Sequence, residues 1–258
     1  MPNNLLHQLQ QKEKIGIALS GGGFRGVMHL GVLKALEDAE IEVSEISATS
    51  FGAFVGAFHA NGLSANEILD IFQSISWWKT IRPTLNWKGL ASIQALAKTF
   101  RKYLPETFEE LQKPLTINAT DLEKGETVYF NSGNLIAPLL ASACVPILFK
   151  PMKIGTRQLA DGGILNNLPA EPLQPNCDFI IGVNCNHAGE KKVSNYKTVI
   201  ERTFNLAINQ NANIRKPLCN WIIEPPKMAN YQTFEFRKMQ EIFEIGFSFI
   251  DGELKRIR

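Results

Sequence analysis

The chain has 258 residues, 45% of them hydrophobic, and a formal net charge of only +2. That length is enough to bury a full core, and the near-neutral balance excludes a global basic field of the kind that draws nucleic acid. No helix-turn-helix, zinc-finger or RNA-binding signature occurs, and no Pro/Gly/Ser-rich linker divides the chain.

Met1 to Lys14 is polar, without the apolar stretch of an export signal, and no run approaches the ~20 apolar residues of a spanning helix. We therefore expect a soluble, cytoplasmic protein forming a single domain over 1–258. From there the pattern alternates β-rich and helical stretches. Ile15 to Ser20 reads as a buried strand and Val27 to Ala39 as a helix with Val27, Leu30, Leu33 and Leu36 toward the core. A second strand, Val43 to Thr49, runs into a helix from Phe51 to Asn61. Ser64 and Glu67 form a capping box for the next helix, which reaches about Ile75. Leu115 to Ala119 and Thr127 to Phe130 read as strands around the turn Glu123-Lys124-Gly125, and Asn134 to Cys144 as a helix. Asp178 to Asn184 and Asn220 to Glu224 are apolar strands, and two amphipathic segments, about 196–214 and 232–255, fill the C-terminal part. Strands alternating with helices imply a mainly parallel sheet covered on both faces.

Two glycine-bracketed stretches stand where a strand turns into a helix. The first is Ser20-Gly21-Gly22-Gly23-Phe24-Arg25-Gly26, the second Ala48-Thr49-Ser50-Phe51-Gly52. Small residues permit a tight turn around a serine, and free N–H groups at a helix start can stabilise negative charge beside it. The pair thus points to an oxyanion cradle and a serine nucleophile, the equipment of acyl transfer from an ester. Each stretch also has a plainer reading. Gly21-x-Gly23-x-x-Gly26 formally fits a dinucleotide turn, but that reading needs an acidic residue at the end of the second strand, which here ends at Thr49-Ser50. No GK[ST] follows the glycines, which excludes a P-loop. Ser50 alone would serve as a helix N-cap, and Asp161-Gly162-Gly163, at the end of the strand-like run Leu159-Ala160-Asp161, would alone be a turn.

In combination these pieces form an ordered series: GGGFRG, HLGVLKAL from His29 to Leu36, ATSFG, Ala141-Ser142-Ala143-Cys144-Val145-Pro146 leading to Phe149, and DGGILNNLP. The series resembles that of the patatin-like phospholipases, specifically the small bacterial members, over about Ile15 to Asn186. The resemblance implies a three-layer α/β/α fold with a mainly parallel central sheet and a serine–aspartate dyad without histidine. It assigns Ser50 as nucleophile, Asp161 as its base, and the main-chain N–H groups of Gly22 and Gly23, within the loop from Gly21 to Gly26, as oxyanion donors. Arg25 would add positive charge beside that hole. Gly162 and Gly163 shape the turn at the base, and Gly52 the turn at the nucleophile. Ala48 departs from the family's usual glycine, and an added methyl in a crowded turn bears on how Ser50 is held.

The resemblance implies an acyl lipid or phospholipid as substrate and no cofactor. Cys and His show no zinc-type spacing, so no metal site is expected. Cys144, Cys177, Cys185 and Cys219 lie in apolar sequence and read as buried reduced thiols. Two alternatives stay open. One is a Ser-Asp-His triad, because Ser50, Asp161 and His187 follow the α/β-hydrolase chain order. The other keeps the fold but makes the chain a weakly catalytic acyl-lipid binder, or an esterase or thioesterase for small soluble substrates. His29, in the helix after the glycines, could orient that loop or simply pack. Between Ile71 and Leu104 there are Lys79, Arg82, Lys88, Lys98, Arg101 and Lys102 but no acid, along with Trp77, Trp78 and Trp87. Leu90, Ile93, Leu96, Phe100 and Leu104 follow near-helical spacing within that stretch, which suits either a lid or peripheral membrane surface, or a helix packed on the core. The oligomeric state leaves no trace in the sequence.

Overall fold

The computed structural model describes residues 13–77, 93, 95–146, 148–190 and 193–257. Its strands are β1 (Ile15–Leu19), β2 (Glu45–Thr49), β3 (Leu115–Asp121), β4 (Glu126–Phe130), β5 (Met152–Ile154), β6 (Arg157–Asp161), β7 (Phe179–Val183) and β8 (Trp221–Ile223). The α-helices are α1 (Met28–Asp38), α2 (Phe51–Ala60), α3 (Ala65–Ser74), α4 (Ala95–Phe100), α5 (Ile136–Ser142), α6 (Tyr196–Arg215) and α7 (Met239–Ile257). The strands form one eight-stranded sheet in the order β5-β6-β3-β2-β1-β7-β8, with β4 also paired to β3. From β3 to β8 along that order neighbours run parallel, while β4 and β6 oppose β3 and β5 opposes β6.

Alternation along the central strands sorts side chains to two faces. Ile17 and Leu19 of β1 and Ile181 and Val183 of β7 join the main core with residues of α1, α2, α3 and α7, including Leu33, Phe58, Phe72 and Ile242. Ala18 and Ile180, one step out of phase, pack on the other face with Leu168, Leu173 and Ala212 of α6. Helices on both faces of a mainly parallel sheet make a three-layer α/β/α fold, as expected from the alternating pattern.

The expected capping box is present: Ser64 N–H donates to Glu67 Oε2 at 2.9 Å, and Glu67 N–H to Ser64 Oγ at 3.4 Å. The segment expected as a helix over 232–255 starts later, at Met239. Its first residues serve the glycine-rich loop instead, because the Thr233 carbonyl accepts the Phe24 N–H at 2.8 Å. Cys144 and Cys185 are buried as expected, whereas Cys177 and Cys219 are half-buried at the edge of the smaller core; all four are free thiols.

In the acid-free stretch, Trp78, Lys79, Arg82, Trp87, Lys88 and Leu90 lie outside the described residues. Of the rest, Trp77, Ile93, Leu96, Phe100 and Leu104 are all buried in the main core. Phe100 stands edge-on to Phe54 and Phe58 at centroid distances of 4.9 and 5.4 Å, and the Trp77 indole N–H donates to the Phe72 carbonyl at 2.6 Å. For these residues the core-packing reading replaces the interfacial one. The near-helical apolar spacing faces inward and leaves Lys98, Arg101 and Lys102 on the exposed side.

Candidate active site

Sheet register brings the ends of β2 and β6 together. Ile117 of β3 lies between Ala48 of β2 and Phe130 of β4, and Ala119 lies between Val128 of β4 and Asp161 of β6. Since β4 occupies one edge of β3, β2 and β6 share the other and approach each other along it from opposite directions. Thr49 is in register with Asn118 and Asp161 with Ala119, so the two strands end at adjacent β3 positions. The residue after Thr49 is Ser50, and its Oγ donates to Asp161 Oδ2 at 2.6 Å.

Both members of this pair are buried. Ser50 has φ 52° and ψ −124°, a left-handed conformation that costs a non-glycine residue of order 1–3 kcal/mol. Although Ser50 stands at the N-terminus of α2, its side chain makes no capping bond. The turn requires Gly52, where a Cβ would lie 2.5 Å from the Ser20 carbonyl oxygen. The backbone N–H of Ser50 donates to Ser142 Oγ at 2.8 Å. Asp161 Oδ1 accepts the Gly163 N–H at 2.7 Å. Burial raises the Asp161 pKa to about 6, against the opposing pull of its bonds from Ser50 and Gly163. Ala48 is fully buried in the main core, so its methyl is absorbed on the helix-covered face while Ser50 keeps its contact with Asp161.

The glycine-rich loop joins β1 to a short 3-10 turn, Gly23–Val27, that leads into α1. Gly21 N–H donates to the Asn167 carbonyl at 3.3 Å, and Gly23 has φ +59° with the Thr233 backbone directly against its Cα. Among the described residues no acceptor takes the N–H of Gly22 or Gly23. Gly26 lies against the Phe51 ring. Arg25 is buried and clamps the loop from behind: Nε donates to the Gly22 carbonyl at 3.2 Å, and Nη2 to Asn186 Oδ1 at 2.7 Å and Asn205 Oδ1 at 2.9 Å.

His29 bonds the same loop. Its Nε2 lies 2.8 Å from the Ser20 carbonyl, and a carbonyl only accepts, so Nε2 carries the proton. Burial lowers the ring's pKa to about 4, keeping it neutral. His29 is thus both packed and tied to the loop. His187 goes elsewhere: its Nδ1 lies 3.8 Å from Glu224 Oε1, and the Ser50 hydroxyl reaches Asp161 with no imidazole between them. The triad order in the sequence does not become a triad in space.

Several supporting residues carried no assignment from sequence. Asn118 Oδ1 accepts from Thr49 Oγ1 at 2.6 Å, while its Nδ2 donates to the Asn166 carbonyl at 2.7 Å. Thr120 Oγ1 donates to the Asp161 carbonyl at 2.9 Å, and the Gly162 carbonyl accepts the Asn166 N–H at 2.9 Å. From α6, Asn211 Oδ1 accepts the Asn167 N–H at 2.8 Å and Nδ2 donates to the Gly163 carbonyl at 2.8 Å. The DGGILNNLP spacing held a signal for Asn166 and Asn167. The series Ala141-Ser142-Ala143-Cys144-Val145-Pro146 likewise held one for Ser142, whereas an asparagine inside a strand or a long helix has none until the fold joins it to the turn.

This fold, with a serine on a strained strand-to-helix turn bonded to a buried carboxylate, is an arrangement suited to serine hydrolase chemistry. The family model for patatin-like phospholipases matches residues 17–173, more than half of the chain, and the chain belongs to that family. An uncharacterised NTE-family protein of Mycobacterium tuberculosis is 34% identical over 178 residues, covering 67% of this chain and 49% of that protein. Lysophospholipase NTE1 of Debaryomyces hansenii is 25% identical over 288 residues, covering 97% of this chain and 18% of its own length. The chain thus spans about half the length of the mycobacterial relative and a much smaller part of the yeast one. VipD of Legionella pneumophila shares the fold with a TM-score of 0.54 at 14% identity, over 95% of this chain and 67% of that one.

Proposed function

We propose that the protein is a lipid acyl hydrolase that cleaves carboxylic esters of phospholipids or related acyl lipids through Ser50 and Asp161. Family membership supports the substrate class. The observation that carries the chemistry is the 2.6 Å bond from the strained Ser50 to a buried carboxylate.

Ionised Asp161 takes the Ser50 proton as Oγ attacks the ester carbonyl, and the carbonyl π electrons move to oxygen. The N–H groups of Gly22 and Gly23 hold that oxyanion, each contributing about 3 kcal/mol if they act like known oxyanion donors. Collapse of the intermediate breaks the ester C–O bond, and Asp161 returns the proton to the departing alcohol, leaving Ser50 acylated. Water then attacks the acyl carbon, giving its proton to Asp161, and the second collapse breaks the acyl C–Oγ bond, frees the fatty acid and returns that proton from Asp161 to Ser50 Oγ. A carboxylate with a pKa near 6 is a better partner for a hydroxyl proton than an ordinary aspartate, since proton transfer improves as base strength rises toward the operating pH. Transfer still proceeds in concert with attack, because the hydroxyl is by far the weaker acid. Arg25, Asn186, Asn205 and His29 keep the loop in position.

Fluorophosphonate labelling and hydrolysis of a short p-nitrophenyl ester test this reading. Ser50→Ala should abolish labelling, and Ser50→Ala and Asp161→Asn should each lower turnover by several orders of magnitude, since such a pair acts as one unit. His187→Ala should stay within about threefold of wild type, because no imidazole takes part. Near-full activity of folded Asp161→Asn would refute the dyad.

A further inference from the structure

The outward face of α6 is mainly apolar although it is exposed. Tyr196 is 79% exposed, Ile214 65%, and Val199, Ile200 and Leu206 each between 40% and 47%. At about 100° per residue these five positions fall within one arc of roughly 120°. Thr203, Ala207 and Gln210 occupy the same arc, which therefore contains no charged residue. A solvated helix normally presents its polar side outward, and an exposed, uncharged and mainly apolar stripe, interrupted here by Thr203 and Gln210, marks an interaction surface.

The inner face of the same helix is polar where it meets the site. Asn205 bonds Arg25, which clamps the glycine-rich loop, and Asn211 bonds both Asn167 and the Gly163 carbonyl beside Asp161. These anchors are six residues apart, about 9 Å along the helix. Whatever covers the outer stripe lies one helix diameter from both halves of the site.

Charge selects the occupant. From Lys191 to Arg202 the chain holds four basic residues, Lys191, Lys192, Lys197 and Arg202, and one acid, Glu201, whereas at the far end of α6 Arg215 and Lys216 are already paired with Glu171 and Glu224. A second copy of the chain docked through this face would set two basic segments against each other, whereas an anionic bilayer attracts them and accepts the apolar stripe. Resting on the lipid hydrolase reading above, we propose that the protein docks on anionic lipid surfaces through the outward face of α6, with Val199, Ile200 and Leu206 inserted among the lipids.

The full chain is incubated with phosphatidylglycerol-containing vesicles, with pure phosphatidylcholine vesicles as control. Wild type should co-sediment with the anionic vesicles, less so as salt rises, because exposed charges are screened over about 8 Å at physiological ionic strength. The triple variant Val199→Asn, Ile200→Asn, Leu206→Asn should bind about tenfold less while hydrolysing a soluble ester within about twofold of wild type, since the lost contact is apolar insertion and the dyad is untouched. Leu206→Trp, which keeps the face apolar, should gain quenching by brominated lipid in anionic vesicles. Equal vesicle binding by the triple variant, no wild-type binding at low salt, or loss of a dimer in the variant with vesicle binding unchanged would each overturn the proposal. Should the triple variant fail to fold, absence of quenching in Leu206→Trp would do the same. Vesicle binding through this face by a wild type that hydrolyses no ester would refute the hydrolase reading and leave the docking surface standing.

Discussion

Asp161 meets two opposing demands at one position: the proposed reaction needs it ionised, and its burial resists ionisation. With the pKa raised to about 6, kcat/KM for a soluble ester should climb from pH 5 to 7 and level off above, with an inflection near 6. His29 contributes no step in this range, because its pKa is near 4. The same shift has a stability consequence of definite sign. A carboxyl whose folded-state pKa lies above its unfolded value stabilises the protein fully below the unfolded value, here 3.8, and loses that contribution as pH rises through about 6. At pH 8 the native protein therefore carries an ionised carboxylate that burial disfavours. Asp161→Asn keeps the shape and removes the charge. It should raise unfolding stability at pH 8 by roughly 1–3 kcal/mol, from about 1.4 kcal/mol per pKa unit less some loss of bonding at Ser50, and give no gain near pH 3. Urea unfolding at the two pH values measures the difference, and an equal effect at both would contradict the raised pKa. The inactive variant should thus be the more stable one, as expected where function holds a charge in a dry site.

Among the elements, the acid-free stretch before β3 shows where pattern and role separate. Its apolar spacing was legible, and its basic residues were legible, but spacing alone does not say whether the apolar side meets a membrane or a core. The deciding contacts lie on Phe54 and Phe58 of α2, some forty residues earlier in the chain. Phe100→Ala should destabilise the protein by about 3–5 kcal/mol, the usual loss for a deleted core aromatic. Replacing Lys98, Arg101 and Lys102 together with Gln should change stability by about 0.5 kcal/mol or less per site, since exposed charges away from special features contribute little. Thermal or denaturant unfolding separates the two, and similar losses from both would mean that the basic side is structural too. Of the hairpin of β5 and β6, only the strand-like end Leu159-Ala160-Asp161 was legible, and its pairing with β5 was not, for a different reason. The two-residue loop, Gly155-Thr156, is a hairpin signal, but the alternating run Met152-Lys153-Ile154 is only three residues long and β6 opens on two polar residues, Arg157 and Gln158, too little pattern to mark a strand pair. That omission matters because β6 delivers Asp161: the motif identified the aspartate, and only the antiparallel run of β6 against β3 explains why it meets Ser50.

At the scale of the whole molecule, the site draws on segments from Gly21 to Asn211, joined by a sheet whose strand order differs from chain order. Turn residues announce themselves locally, because glycines and a strained serine are needed wherever the chain reverses sharply. The polar supports outside the motifs do not, since Asn118 and Asn211 acquire partners only through tertiary packing. The C-terminal helix makes the same point through its glycines. Gly246 of α7 faces the Met28 carbonyl of α1, and Gly31 of α1 faces the Phe243 carbonyl of α7, each so closely that a Cβ would strike backbone. Gly252, six residues further along α7, has nothing within 4 Å of where its Cβ would stand. In sequence the two α7 glycines look alike, and helix propensity favours alanine at both by roughly 0.5–1 kcal/mol. At Gly252 that term stands alone, so Gly252→Ala should stabilise by about that amount, a rise in Tm of about 1–4 °C for a chain of this size. At Gly246 the clash is with a carbonyl that cannot rotate away, and separating two packed helices costs about 1–3 kcal/mol or more, which outweighs the propensity gain. Gly246→Ala should therefore lower Tm, and because α1 begins at the end of the glycine-rich loop, ester hydrolysis should fall with it. Calorimetry on the two single variants decides the matter: opposite shifts support the close α1–α7 packing, and a stabilising Gly246→Ala would show that the helices stand further apart than the structure has them.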